Sequence, residues 1–146
     1  MRRLLVIAYE DIGLGNPQGV SRAVSAVQAA ERLGLPEARI PLANAIIELA
    51  LSPKSNTAIR SIDSALSDVR KGRAISIPDH LKDAHYSGAQ KLGRGVGYKY
   101  PHDYPGHFVK QQYLPDALRQ EEYFTPEPTS SYEEALMKQY QKFRQK

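Results

Sequence analysis

Val20-Ser21-Arg22-Ala23-Val24-Ser25-Ala26-Val27-Gln28-Ala29-Ala30 is the stretch on which the fold turns. Val20, Ala23, Val24, Val27 and Ala30 recur at the three- and four-residue spacing that lines one face of an α-helix, and Gly34 stands where helices commonly end on a left-handed residue. Downstream, Ile40, Ala43, Ile47, Ala50 and Leu51 predict a second helix, preceded by Pro36 and closed by Ser52-Pro53, with Pro41 in its first turns or at its start. Ile59, Ile62, Leu66 and Val69 predict a third, after the N-cap candidates Ser55 and Asn56 and before the stop at Gly72. Upstream, Met1 to Glu10 reads as a helix that begins without a capping residue, which suggests a piece of a longer chain. Ala23, Ala26, Ala29, Ala30, Ala43, Ala45 and Ala50 let these helices approach closely. No stretch keeps a period-two alternation, so an all-α fold without a major sheet is expected.

After Gly72 the character changes. Ile75-Ser76-Ile77-Pro78 reads as extended, Pro78 to Ala84 as one or two helical turns, and Tyr86 to Gly97 as a long glycine- and serine-rich loop. Pro126 and Pro128 mark a spacer before a last helix, announced by a capping box of Ser131 with Glu134. Tyr132, Leu136, Tyr140 and Phe143 form an aromatic stripe on that helix, of the kind that docks on another surface. The expected organisation is one domain over residues 1–146: a helical bundle at 1–72, an irregular Tyr/Pro-rich segment with short helices at 73–130, and a C-terminal helix at 131–146.

Composition narrows the class. A chain of 146 residues can bury a core without staples, and it has no cysteine, hence no disulfide, thiolate nucleophile or Cys-based zinc site. The expected home is a reducing, cytoplasmic one, because no apolar run approaches the roughly 20 residues that span a bilayer and the N-terminus reaches charge too soon for a signal peptide. A net charge of +4 permits an acidic partner such as nucleic acid without identifying one. Lys138, Lys142, Arg144 and Lys146 sit where a helix end favours cations in any case.

The densest chemistry lies in Tyr98-Lys99-Tyr100-Pro101-His102-Asp103-Tyr104-Pro105-Gly106-His107-Phe108, with Tyr113 just beyond. Two prolines stiffen it, and the aromatics mark either a core that anchors an irregular segment or a surface that meets a partner. Interleaved Lys99, Lys110 and Arg94 also allow stacking of single-stranded nucleic acid, although Asp103 and the prolines sit among them. Gly93-Arg94-Gly95-Val96-Gly97 lacks the preceding strand and following helix of a phosphate cradle. His80 and His85, like His102 and His107, are five residues apart and fit no metal-ligand spacing, so no metal, cofactor or catalytic residue is assigned. Asp11, before Ile12-Gly13, reads as a helix-end or turn residue.

Five stretches in order carry a resemblance. They are Ala8-Tyr9-Glu10-Asp11-Ile12-Gly13-Leu14-Gly15-Asn16-Pro17; Leu42-Ala43 through Leu49-Ala50 with Pro53-Lys54-Ser55-Asn56; Pro78-Asp79-His80-Leu81; Tyr98 through Gly106; and Gln112-Tyr113-Leu114-Pro115. Together they resemble the C-terminal region of the MgsA/RarA family of bacterial replication-associated recombination AAA+ ATPases, which is similar to the eukaryotic Werner-helicase-interacting protein. Gly15-Asn16 stands where Ala-Asp is usual in that family, and His107-Phe108 where Gly-Trp is common. Neither Walker motif occurs in the chain, so no ATP hydrolysis is expected from it. The resemblance implies a helical domain similar to a clamp-loader collar that assembles a homotetramer. It further implies an ATPase core elsewhere that uses ATP and Mg, acts on DNA at stalled replication forks, associates with the nucleoid and meets fork proteins such as single-strand-binding protein. A DNA-binding or protein-adaptor module of the same ATPase is the alternative.

Overall fold

Residues 1–74 and 76–145 are described by the structure, a computed structural model, without the side chains of Gln90 and Gln145. The extended reading of Ile75 and the basic Lys146 lie outside the described residues. Among those residues the secondary structure is helical throughout, with no strand. Five α-helices form: α1 (Arg2–Ile7), α2 (Pro17–Leu33), α3 (Arg39–Leu51), α4 (Thr57–Arg70) and α5 (Ser131–Gln145). Two compact units result, one from Met1–Asp63 with Tyr123–Lys142 and the other from Ser64–Glu122 with Phe143–Lys146. The unit boundaries fall inside α4 and α5.

In the first unit the helix that opens at Arg2 does not end at Ile7. It widens into a π-helical turn at Ala8–Ile12 and then tightens into a 3-10 turn at Gly13–Gly15. Asn16 ends this winding and starts the next helix: its Oδ1 accepts from the Gly19 N–H at 3.0 Å, with Pro17 in the first turn. The core is the seam where the π turn, α2 and α3 meet, made by Ala8, Ile12, Val20, Ala23, Ala45 and Leu49, with Leu4 and Ala26 against it. Half of these residues are alanine, and Ala23, Ala26 and Ala45 are what let α2 and α3 pack side by side. Ile12 supplies the largest apolar volume, and its full burial is worth roughly 1.5–3 kcal/mol.

The second unit is built from short 3-10 turns at Asp79–Leu81, Gln90–Leu92, Pro101–Asp103, Pro105–His107 and Asp116–Leu118. It begins with the end of α4, where Gly72 adopts a φ of 72°. Its N–H donates to Val69 O and the Arg73 N–H to Asp68 O, both at 3.0 Å, a pair of bonds that closes the last helical turn and needs a left-handed residue at Gly72. The Arg73 guanidinium then bridges Asp68 at 2.7 Å and Glu121 at 2.6 Å and reaches Ala117 O at 3.3 Å, tying the helix end to the segment before Glu122. Hydrogen bonds from Arg73 to Glu121 first and Asp68 second raise its already high pKa further.

Candidate functional site

Three features of the chain are organised enough to carry a function. The first gathers most of the motif residues Glu10, Asp11, Gly13, Pro53, Lys54, Ser55 and Asn56. The π turn presents the Asp11 carbonyl, which accepts from the Ser55 N–H at 2.9 Å. Asp11 thus acts as a turn residue through its backbone. Gly15 lies so close to the following loop that a Cβ there would stand 2.3 Å from Pro53 O, so only glycine permits this approach. Ser55 Oγ in turn donates to Glu133 Oε1 at 2.7 Å, and Thr57 Oγ1 donates to the same oxygen at 2.5 Å. Thr129 completes the ring: its N–H donates to Glu133 Oε2 at 3.4 Å and its hydroxyl to Lys54 O at 2.6 Å. Glu133 has no solvent exposure, and no buried side-chain polar atom among the described residues lacks a hydrogen-bond partner. A carboxylate so engaged by hydroxyls and amide fastens α5 to the start of α4. Glu10 and Asn56 stay outside this ring, Glu10 half-buried and Asn56 exposed.

Glu133 also corrects the expected capping box. Ser130, not Ser131, caps α5: Ser130 O accepts from the Glu134 N–H at 3.0 Å and Ser130 Oγ from the Glu133 N–H at 3.3 Å. Two serines followed by two glutamates offer two registers, and the buried hydroxyls of Ser55 and Thr57 select the earlier one. Glu133, Thr57 and Thr129 were absent from the sequence-derived site. The signal for Glu133 was its position three residues after Ser130, and no local signal marks the other two.

The second feature is apolar surface on the first unit. The α3 face expected to be buried, with Ile40, Ile47 and Leu51, is 55%, 60% and 82% exposed, and α3 packs through Ala45 and Leu49 instead. Almost every turn of α3 is apolar on several sides, so periodicity does not single out one face; the small Ala45 is the side that admits α2. The part of the expected α4 stripe in this unit behaves likewise, with Ile59 half-buried and Ile62 exposed, and Leu66 and Val69, which belong to the second unit, are exposed too. Leu5, Val6 and Tyr9 of the opening helix and Ile59 and Ile62 of α4 line a shallow, almost wholly apolar groove.

The aromatic run is the third feature, and it lies in the second unit. Tyr98, Tyr100, Tyr104 and Tyr113 are 45%, 53%, 38% and 53% exposed, so these rings do not fill a core. Pro101 and Pro105 each open a 3-10 turn, and the turns line up Tyr100, His102 and His107 with successive ring centroids 5.0 Å apart. Asp103 lies exposed in the first turn, while Phe108 is half-buried and stacks on Phe143 at 4.7 Å. The stripe of α5 is thus spent within the chain at two points, because Tyr140 also meets Phe124 edge-on at 5.2 Å. Leu136 is half-buried and Tyr132 remains exposed. Elsewhere Lys82, hydrogen-bonded to Asp79 at 2.6 Å, holds that carboxyl below the usual carboxylate range, as His85 at 2.5 Å does for Asp83. Among the described residues no three His, Cys, Asp or Glu side chains gather as metal ligands. No helix there is long and apolar enough to cross a membrane.

Comparison with known proteins adds a second line of observation. The family model for the MgsA AAA+ ATPase C terminal matches residues 1–144. The chain is 62% identical over 141 residues to Replication-associated recombination protein A of Bacillus subtilis, a match that covers 97% of this chain and 34% of that protein. It is 46% identical over 125 residues to an uncharacterised AAA-domain-containing protein of Mycobacterium tuberculosis, covering 86% and 28%. With ATPase WRNIP1 of Dictyostelium discoideum the identity is 30% over 125 residues, covering 85% and 14%. The chain therefore spans about a third or less of the length of these relatives.

Proposed function

The chain belongs to the family of MgsA AAA+ ATPase C-terminal domains, and on that footing we propose that it is an oligomerisation domain that holds such an ATPase together as a homotetramer. The observation that carries this reading is the uncovered apolar surface of the first unit. Ile40, Ile47 and Leu51 lie exposed on α3, and Leu5, Val6, Tyr9 and Ile62 line or border the groove between the opening helix and α4. Leaving apolar side chains in water forfeits roughly 1.5–3 kcal/mol for each that could be buried, so a contiguous exposed set marks an association surface. Two such patches also suit a tetramer. A closed tetramer with two kinds of two-fold interface needs two self-complementary surfaces, whereas a dimer needs one.

Assembly of this kind would hold several ATPase modules at high local concentration around one DNA substrate, so that avidity replaces tight binding at a single site. In that reading ATP and Mg belong to the ATPase module, the parent is a DNA-dependent ATPase of the bacterial cytoplasm and nucleoid, and fork proteins such as single-strand-binding protein are among its partners. The name Replication-associated recombination protein A, carried by the Bacillus subtilis relative, supports a role in replication and recombination.

Ile47→Asp tests the surface. The residue is exposed in the single chain, so the variant should keep its helical fold, with its melting temperature lowered only by the lost association. It should lose the tetramer in sedimentation velocity, because a charge at an apolar interface must be desolvated. A variant that sediments as the parent chain does would sink the α3 face as an interface.

A further inference from the structure

The two units differ in charge as sharply as in structure. The first contains nine Lys/Arg and nine Asp/Glu, and the second eleven against seven, so the whole net charge of +4 resides in the second. A cleft of that unit, about 770 Å³, is lined by Lys110, Tyr113, Arg119, Gln120, Phe143 and Arg144 among others, and among the described residues its lining includes no Asp or Glu. Arg144 pairs with Glu122, whereas Lys110 and Arg119 form no ion pair among the described residues.

The rim beside this cleft is fixed rather than loose. Gln111 straddles the neighbouring segment: its Oε1 accepts from the Lys99 N–H at 3.2 Å and its Nε2 donates to Lys99 O at 2.8 Å. The same Nε2 donates to the Tyr113 hydroxyl at 2.9 Å. One glutamine therefore sets Tyr98-Lys99-Tyr100 alongside Lys110 and Tyr113, placing exposed rings and ammonium groups that have no ion pair among the described residues on adjoining stretches of chain.

We infer that this cleft and its rim bind a single strand of nucleic acid, with backbone phosphates at Lys110 and Arg119 and unpaired bases stacked on Tyr113 and its neighbouring tyrosines. A run of flat faces interleaved with cations, in a groove whose described lining is basic, matches the alternation of base and phosphate along one strand. Paired bases in a duplex offer no such faces. The site is independent of the apolar surface of the first unit, so it stands or falls apart from the tetramer.

Fluorescence anisotropy with a labelled oligothymidylate of about 16 nucleotides tests it, beside a duplex of equal length and a polyglutamate peptide. The chain should bind the single strand most tightly, with log K falling against log salt at a slope of roughly −1.4 for two neutralised phosphates. Lys110→Ala with Arg119→Ala should weaken binding at least about tenfold and flatten that slope. Tyr113→Ala should cost about tenfold for the single strand and little for the duplex, and Tyr113→Phe, which keeps the ring, should restore binding. All three positions are exposed, and matching melting temperatures and masses verify that the variants remain folded. Absence of binding at low salt, a double variant that binds as tightly as the parent, or displacement by polyglutamate with Tyr113→Ala indifferent would each overturn the assignment. The last result would identify an acidic protein as the occupant instead.

Discussion

The first unit satisfies most of its backbone with helices and leaves many of its apolar side chains facing outward, whereas the second spends polar side chains on holding its irregular backbone. In the seam of α2 and α3 the main-chain groups bond one another, so side chains such as Ile47 and Leu51 can point outward with nothing to hold in place. In the irregular unit the amide of Gln111 serves both backbone groups of Lys99, His80 Nε2 pairs with Gln112 O at 2.8 Å, and the Gln112 amide reaches Leu114 O at 2.9 Å. Buried or constrained backbone groups must find partners, and where helices do not supply them polar side chains do. The lesson is that a segment without regular structure can still be well determined, and that regular helices can be the part whose outer surface awaits a partner.

Removing the carboxylate of Glu133 is the largest perturbation this contrast anticipates. Glu133→Ala leaves the hydroxyls of Ser55 and Thr57 without their acceptor inside the first unit, and should destabilise the chain by about 3 kcal/mol in urea titration. Stability unchanged by the substitution would mean that the ring around Glu133 is not what fastens α5. Tyr104→Ala in the second unit should cost less than about 1 kcal/mol, since the ring is largely at the surface. A loss like that of Glu133→Ala would erase the distinction between the units and return the tyrosines to a core.

The smallest effect concerns acid. The carboxyls of Asp79 and Asp83 are held below the usual range by Lys82 and His85, so their folded-state pKa values lie beneath the unfolded ones. Such groups stabilise the folded state above the unfolded pKa, near about 4, and that contribution is lost as pH falls through the folded values. Lys82→Met should move the Asp79 titration followed by NMR upward, toward the ordinary aspartate value, while leaving the first unit's signals in place. An Asp79 midpoint that stays put would show that the ammonium group is not its partner in solution.

Much of the architecture was legible in the sequence because helices announce themselves locally. The spacing of Val20, Ala23, Val27 and Ala30 located α2, Gly34 and Gly72 marked ends, and Ile59 to Val69 outlined α4. The π turn at Ala8–Ile12 left no local trace, since its extra residue per turn is fitted to the loop at Pro53 and Ser55 far along the chain. For the same reason Ser130 rather than Ser131 caps α5. Periodicity located the apolar face of α4 but no single face of α3, and for neither could it say what covers the apolar side chains, because hydrophobicity reads alike for a core and for an interface. The motif Pro53-Lys54-Ser55-Asn56 was visible as a resemblance, yet its partner Glu133 lies 78 residues beyond Ser55 and shares no pattern with it.

Absolute mass in solution, by light scattering behind size exclusion over a range of concentrations, tests the assembly role most directly. The account predicts a mass near four times 16.3 kDa that persists on dilution. A stable particle of 16.3 kDa at every concentration would contradict it, because the exposed faces of α3 and α4 would then be surfaces that this chain does not use to meet itself.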